Sequence, residues 1–120
     1  MPKDAMGEPA RFTHDPRAAI AEMVRRIVAR FDPEKIVLFG SYARGEATAE
    51  SDVDLLVVRP VEGSRREKAV QVENAMTGIR MPTDIVVITP AQASAETARA
   101  GSIVGLALRE GKVLYERRVA

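Results

Sequence analysis

The sequence predicts an α/β fold, one unit in which helices flank a short sheet of about four strands. Three observations predict it. Apolar residues recur at helical spacing in some stretches and form short unbroken runs in others, and the two kinds alternate along the 120 residues. Pro, Gly and Asp stand at nearly every junction. No repeat, linker or low-complexity segment interrupts the pattern, and a chain of this length with 46% hydrophobic residues can fill one core.

Residues 1–14 (MPKDAMGEPARFTH) carry no period and are expected to form a flexible arm, leaving 15–120 as the domain. Asp15 can cap a helix with Pro16 at its first position. Ile20, Met23, Val24, Ile27, Val28 and Phe31 form its apolar stripe, Arg25, Arg26 and Arg30 take the other faces, and Asp32-Pro33 stops it. Residues 36–39 (IVLF) read as a buried strand that runs into Gly40 and a small, polar loop through Ser51. Residues 52–59 (DVDLLVVR) form a second strand, whose continuous apolarity after its first three residues marks a central strand covered on both sides. Pro60 ends it. Ser64-Arg65-Arg66-Glu67 fits a capping box, with Ala69, Val72, Met76 and Ile79 as the buried stripe of the next helix. Gly78 and Pro82 bracket its end, and residues 84–88 (DIVVI) form a third strand. Thr89-Pro90 opens another helical stretch, interrupted near Gly101 and resumed over about 102–110. Its second part (Ile103, Val104, Leu106, Ala107, Leu108) is more apolar than a surface helix needs and is expected to pack on the sheet, the alternative being contact with a dimer mate or partner. Gly111 then turns the chain into a last strand, 113–115 (VLY).

Composition narrows the chemistry. The chain has no Cys and one His, His14, so disulfides, thiolate metal sites and His-rich zinc sites are excluded. Any metal chemistry must use carboxylates, which favour a hard cation such as magnesium. The 18 Lys and Arg against 17 Asp and Glu leave a net charge of +1, short of the basic bias of a protein that grips a long nucleic acid. No apolar run reaches the roughly 18 residues of a membrane span, and no signal-type stretch opens the sequence, so a cytoplasmic location is expected. His14 reads as solvated, Met23 and Met76 as core, and Arg65 and Arg66 as a solvated helix start.

Aspartate placement is the sharpest feature. Of six Asp, three stand at the start of apolar strands: Asp52, Asp54 and Asp84. Asp is depleted in strands because its side chain competes with the ladder for the backbone. Residues two apart on a strand share a face, about 6.6 Å apart at Cα, so Asp52 and Asp54 can converge on one cation or bridge two. Asp84 can join them from an adjacent strand. Two carboxylates about 5 Å apart repel by roughly 3 kcal/mol at an effective dielectric near 20, a cost that a divalent cation, an Arg or protonation relieves. The plain alternative for each Asp is a strand-edge residue facing water.

The loop before the pair adds a second signal. Gly40-Ser41 directly follows an apolar strand, where glycine allows close approach of backbone to a phosphate and the Ser hydroxyl can donate to it. Arg44 can add charge to such a site or hold the loop by pairing with Glu46. Tyr42 can stack on a base or pack the loop, the second being the simpler role. A phosphate cradle beside clustered carboxylates suits metal-assisted phosphoryl or nucleotidyl transfer, which needs no His or Cys nucleophile.

Gly40-Ser41, ten residues, then Asp52-Val53-Asp54 matches the G-S-x(10)-D-x-D signature of the nucleotidyltransferase superfamily that includes DNA polymerase beta. The run GSYARGEATAESDVDLLVV resembles its minimal nucleotidyltransferases, the MNT group, and the resemblance extends over about residues 18–116, to Asp84 and the closing EGKVLYE. It implies a short mixed sheet flanked by helices, the polymerase beta-like fold. By position it implies Gly40 and Ser41 on the triphosphate of ATP, with Arg44 beside them in loop support or occasional phosphate contact. It also implies Asp52, Asp54 and Asp84 as the catalytic carboxylates at the metals, two Mg²⁺ ions, with Asp84 positioning or deprotonating the attacking hydroxyl. Larger members carry an acceptor-binding helical domain for which 120 residues leave no room. In similar MNT proteins that part is a separate HEPN chain, a toxin whose tyrosine receives AMP, so the resemblance implies a protein adenylyltransferase acting as an antitoxin. The alternatives are a binding module that neutralises its partner by docking, and an antibiotic-type nucleotidyltransferase whose acceptor pocket forms in a homodimer.

Overall fold

The computed structural model describes residues 15–60 and 63–118, so the expected N-terminal arm and His14 lie outside the described residues. Helix α1 (Pro16–Phe31) starts where the sequence asks: the Asp15 carboxylate accepts from the Arg17 N–H at 3.0 Å, and Pro16 is its first residue. It stops at Asp32, whose positive φ of 46° turns the chain ahead of Pro33. The order continues with β1 (Lys35–Phe39), α2 (Ser41–Arg44), β2 (Val53–Val58), α3 (Arg65–Asn74), β3 (Thr83–Ile88), α4 (Pro90–Thr97), α5 (Ile103–Glu110) and β4 (Lys112–Glu116).

The strands form a mixed sheet in the order β3-β2-β1-β4. β1 pairs antiparallel with β2 and β4, and β2 pairs parallel with β3, the parallel connection being made through α3. β2 is therefore internal, as its apolar sequence requires: every residue of it except Asp54 is buried. Its alternating side chains feed two cores. Val53, Leu55 and Val57 pack with Ile36, Leu38, Ile85 and Val87 beneath α1 and α3, where Met23, Ile27 and Val72 are fully buried. On the opposite face Leu56 and Val58 join Val37, Ile88 and Ala107 under α4 and α5. Burying a Leu, Ile or Met side chain stabilises by roughly 1.5–3 kcal/mol, so this two-sided sheet carries most of the fold.

Four local features differ from expectation. The loop after β1 contains the helical turn α2, closed by Ala43 and Arg44 N–H groups that both donate to the Gly40 carbonyl. Four residues are too short to show a period. Ser64 caps α3 by accepting from the Arg66 and Glu67 N–H groups, whereas the reciprocal capping box forms at Thr89 and Gln92, at the head of α4. α3 ends at Asn74, so buried Met76 and Ile79 come from turns that follow it. Arg26 of α1 pins those turns, donating to the carbonyls of Ala75 at 3.0 Å and Thr77 at 2.7 Å. In α5, Gly105 and Ala107 are buried and Val104 and Leu108 pack on the sheet, but Ile103 and Leu106 are 75% and 46% exposed.

Candidate active site

The three aspartates lie at the end of the sheet where β1 stops and β2 and β3 begin. Asp54 pairs with Phe39 across the antiparallel ladder and with Asp84 across the parallel one. Neighbouring strands stand about 4.8 Å apart, so registered residues present their side chains to one face, here the α4–α5 face. Asp52 lies one residue before β2 and, two positions from Asp54, on the same side of an extended chain. Asp52 and Asp84 are exposed and Asp54 is half-buried. Burial raises the Asp54 carboxyl above the usual aspartate range; the charges of Asp84 and then Asp52 raise it further, and Arg44 opposes them. The three carboxylates thus lie within electrostatic reach of one another, with Asp54 at the centre.

Gly40 fits against that centre. It has φ 76° and ψ −156°, a region open essentially to glycine alone. A Cβ placed on it would overlap Asp54 Oδ2 and come within 3.1 Å of Asp54 Cγ. Glycine here lets the backbone at the head of α2 close onto the carboxylate. Ser41 is the first residue of α2 and sits half-buried beside it. Of the two roles open to Arg44, the Glu46 pair forms, Nε to Oε1 at 2.9 Å, with both side chains largely exposed. Tyr42 leaves the site: it packs beside Ile20, Val24, Leu38 and Leu114, on the α1 face of the sheet.

The residues fit a hard cation by their chemistry. Their donors are all carboxylate oxygens, and a bound cation would offset the repulsion from Asp84 and Asp52 that adds to burial in raising Asp54. Among the described residues no three acidic or histidine side chains are gathered into a metal-holding group. Magnesium is commonly held by one or two carboxylates together with substrate phosphates and water, which Asp52 and Asp54 can match.

A cleft of about 280 Å³ opens at this site. Phe39, Gly40, Arg44 and Asp54 line one side, and Ile103, Leu106 and Glu110 of α5 line the other. In the sequence these α5 residues look like core, because an apolar helix next to a sheet reads as core; their spacing of three and seven residues is the signal that sets them on one face. A larger groove of about 700 Å³ lies at the far end of the sheet, by Val58 and Glu116, and none of the three aspartates lines it.

Comparison with known proteins gives the family and the fold. The family described as "Nucleotidyltransferase domain" matches residues 20–108, a span containing Gly40, Ser41, Asp52, Asp54 and Asp84. A Methanocaldococcus jannaschii protein named "Putative protein adenylyltransferase MJ0604" is 48% identical over 46 residues, 37% of this chain and 46% of that protein. The match thus spans just under half the length of that relative. In fold, the chain is similar to "a putative nucleotidyltransferase from Sulfolobus solfataricus", with a TM-score of 0.62 at 20% identity over 91% of this chain and 87% of that one. With most of its length matched, the chain belongs to the nucleotidyltransferase domain family.

Proposed function

We propose that the chain transfers AMP from ATP to a hydroxyl group on a partner protein. The observation that carries this reading is the registration of Asp54 with Asp84 beside a glycine fitted to the Asp54 carboxylate. The M. jannaschii relative's name supports a protein as acceptor. In this reading the backbone at Gly40 and the Ser41 hydroxyl hold the triphosphate, and Arg44 lends positive charge. Asp52 and Asp54 hold Mg²⁺, two ions by the family resemblance, which when bound neutralises the phosphate oxygens of the reacting nucleotide. Asp84 orients the acceptor hydroxyl and takes its proton as the oxygen bonds to the α-phosphorus and the bond to pyrophosphate breaks. By the same resemblance the acceptor is a tyrosine of a HEPN-type toxin and the chain is its antitoxin; the cytoplasm is the location expected from the sequence.

The test is transfer of label from α-labelled ATP, with Mg²⁺, to a co-purified partner. Labelling is expected with the wild type and lost with D52N and D54N. Undiminished labelling by the double variant refutes the assignment. Variants that no longer label but still neutralise the partner in cells would point to docking instead of chemistry.

A further inference from the structure

The cleft has two unlike walls, and the proposed reaction uses only one. The first, with Phe39, Gly40, Arg44 and Asp54, carries the carboxylate and the guanidinium that the proposed reaction needs. The second is the face of α5 that carries Ile103, Leu106 and Glu110, positions i, i+3 and i+7 of one helix. Ile103 and Leu106 are large apolar side chains left exposed at the cleft, although the same helix buries Ala107 against the sheet. Glu110 is the last residue of α5 and exposed. Its place is fixed by Gly111, where a Cβ would overlap the Ala107 carbonyl and Val37 Cγ1 and approach the Leu38 carbonyl at 2.8 Å. The end of α5 therefore lies tight on β1, and Glu110 stays at the cleft.

We infer that the α5 wall is the nucleoside wall: Leu106 and Ile103 receive the base, and the Glu110 carboxylate accepts hydrogen bonds from the ribose hydroxyls. The inference rests on the nucleotidyltransferase reading of the opposite wall. Four residues along a helix rise about 6 Å, so Leu106 and Glu110 are spaced like the base and sugar hydroxyls of one nucleoside. A carboxylate is the natural acceptor for a vicinal diol, and apolar side chains bind a base face without reading its edge. The wall therefore selects ribonucleotides over deoxyribonucleotides more strongly than one base over another.

Charge makes the inference sharp. If Glu110 were only a solvated helix end, removing its negative charge would tighten binding of a polyanion. The nucleoside-wall reading requires the opposite for ATP. Titrate ATP, 2′-deoxy-ATP, 3′-deoxy-ATP and inorganic tripolyphosphate into the full chain with Mg²⁺, by calorimetry, for the wild type, E110A and L106A, after confirming unchanged melting. Charge-assisted hydrogen bonds predict a loss of about 10-fold or more in ATP affinity for E110A. At least one deoxy nucleotide should bind E110A and wild type alike, and tripolyphosphate should bind E110A no more weakly. L106A should weaken ATP and the deoxy nucleotides together and spare tripolyphosphate. Equal or tighter ATP binding by E110A, or an equal loss for ATP and tripolyphosphate, overturns the inference and leaves the proposed function standing. A wild type that binds neither ATP nor tripolyphosphate overturns both.

Discussion

Replacing Gly40 by Ala tests the link between backbone conformation and the carboxylate cluster. At φ 76° and ψ −156° an L-residue is strained by about 1–3 kcal/mol. The new Cβ also overlaps Asp54 Oδ2, and driving that side chain from its rotamer costs about 0.5–1.5 kcal/mol more. Reduced freedom of the unfolded chain returns about 0.4–1 kcal/mol. The net is a destabilisation of about 2–3 kcal/mol, or about 8–12 °C in Tm at about 4 °C per kcal/mol for a domain of this size. Thermal and urea unfolding measure it. A double-mutant cycle with D54A separates the two causes, because truncating Asp54 removes the overlapping oxygen and leaves the strain. The expected coupling is about 1 kcal/mol, with G40A less harmful in the D54A background. A G40A variant that melts with the wild type refutes the strain argument, and a cycle without coupling refutes the overlap.

Other expectations come from neighbouring features. Because the folded Asp54 carboxyl is raised, its charged form is disfavoured in the native state, so it lowers stability as pH rises from the ordinary aspartate range near 4 through the folded value. D54N should remove that pH dependence and melt above the wild type at pH 7, while reducing transfer by at least ~100-fold. Mg²⁺ should raise the Tm of the wild type and leave D54N nearly unmoved. Glu22 is the opposite case: hydrogen bonds from Arg25, with Arg26 assisting, hold its carboxyl down at about 2 against an ordinary 4.5. Its stabilisation is complete above about 4.5 and lost as pH falls toward 2, so E22Q should cost about 1 kcal/mol at neutral pH and flatten acid unfolding in that window. Gly105→Ala places a Cβ on the Glu96 carbonyl, and should destabilise by about 1–3 kcal/mol although alanine favours helix by about 1 kcal/mol. An unchanged Tm would show that α4 and α5 can separate at no cost.

Much of this site is legible in the sequence because its parts are local. A D-x-D at the head of an apolar run must put two carboxylates on one side, and glycine and serine after a strand mark a backbone meant to be approached. The alignment of Asp84 with Asp54 is different in kind. Its strand can be read from DIVVI, but its register depends on the parallel pairing of β2 with β3, which no short-range pattern encodes. Gly40 was readable as a point of close approach, yet its nearest partner is the side chain of Asp54, fourteen positions away. The outward face of α5 was hidden by chemistry: leucine and isoleucine look alike in sequence whether they fill a core or line a cleft. Arg26 looked like surface charge, and only the turn after α3 shows why an arginine stands there.

The placement of Tyr42 has a consequence for any tyrosine-directed transfer. The chain has two tyrosines. Tyr42 follows directly on Gly40 and Ser41, but it is held under α1, with the sheet between its ring and Asp54. Tyr115 lies in β4 opposite Ile36, away from the end where β2 and β3 begin. A catalyst built this way does not offer its own phenols to its own carboxylates within one molecule. Label found on either tyrosine of this chain would therefore have been placed there by a second molecule, and its dependence on protein concentration would show it.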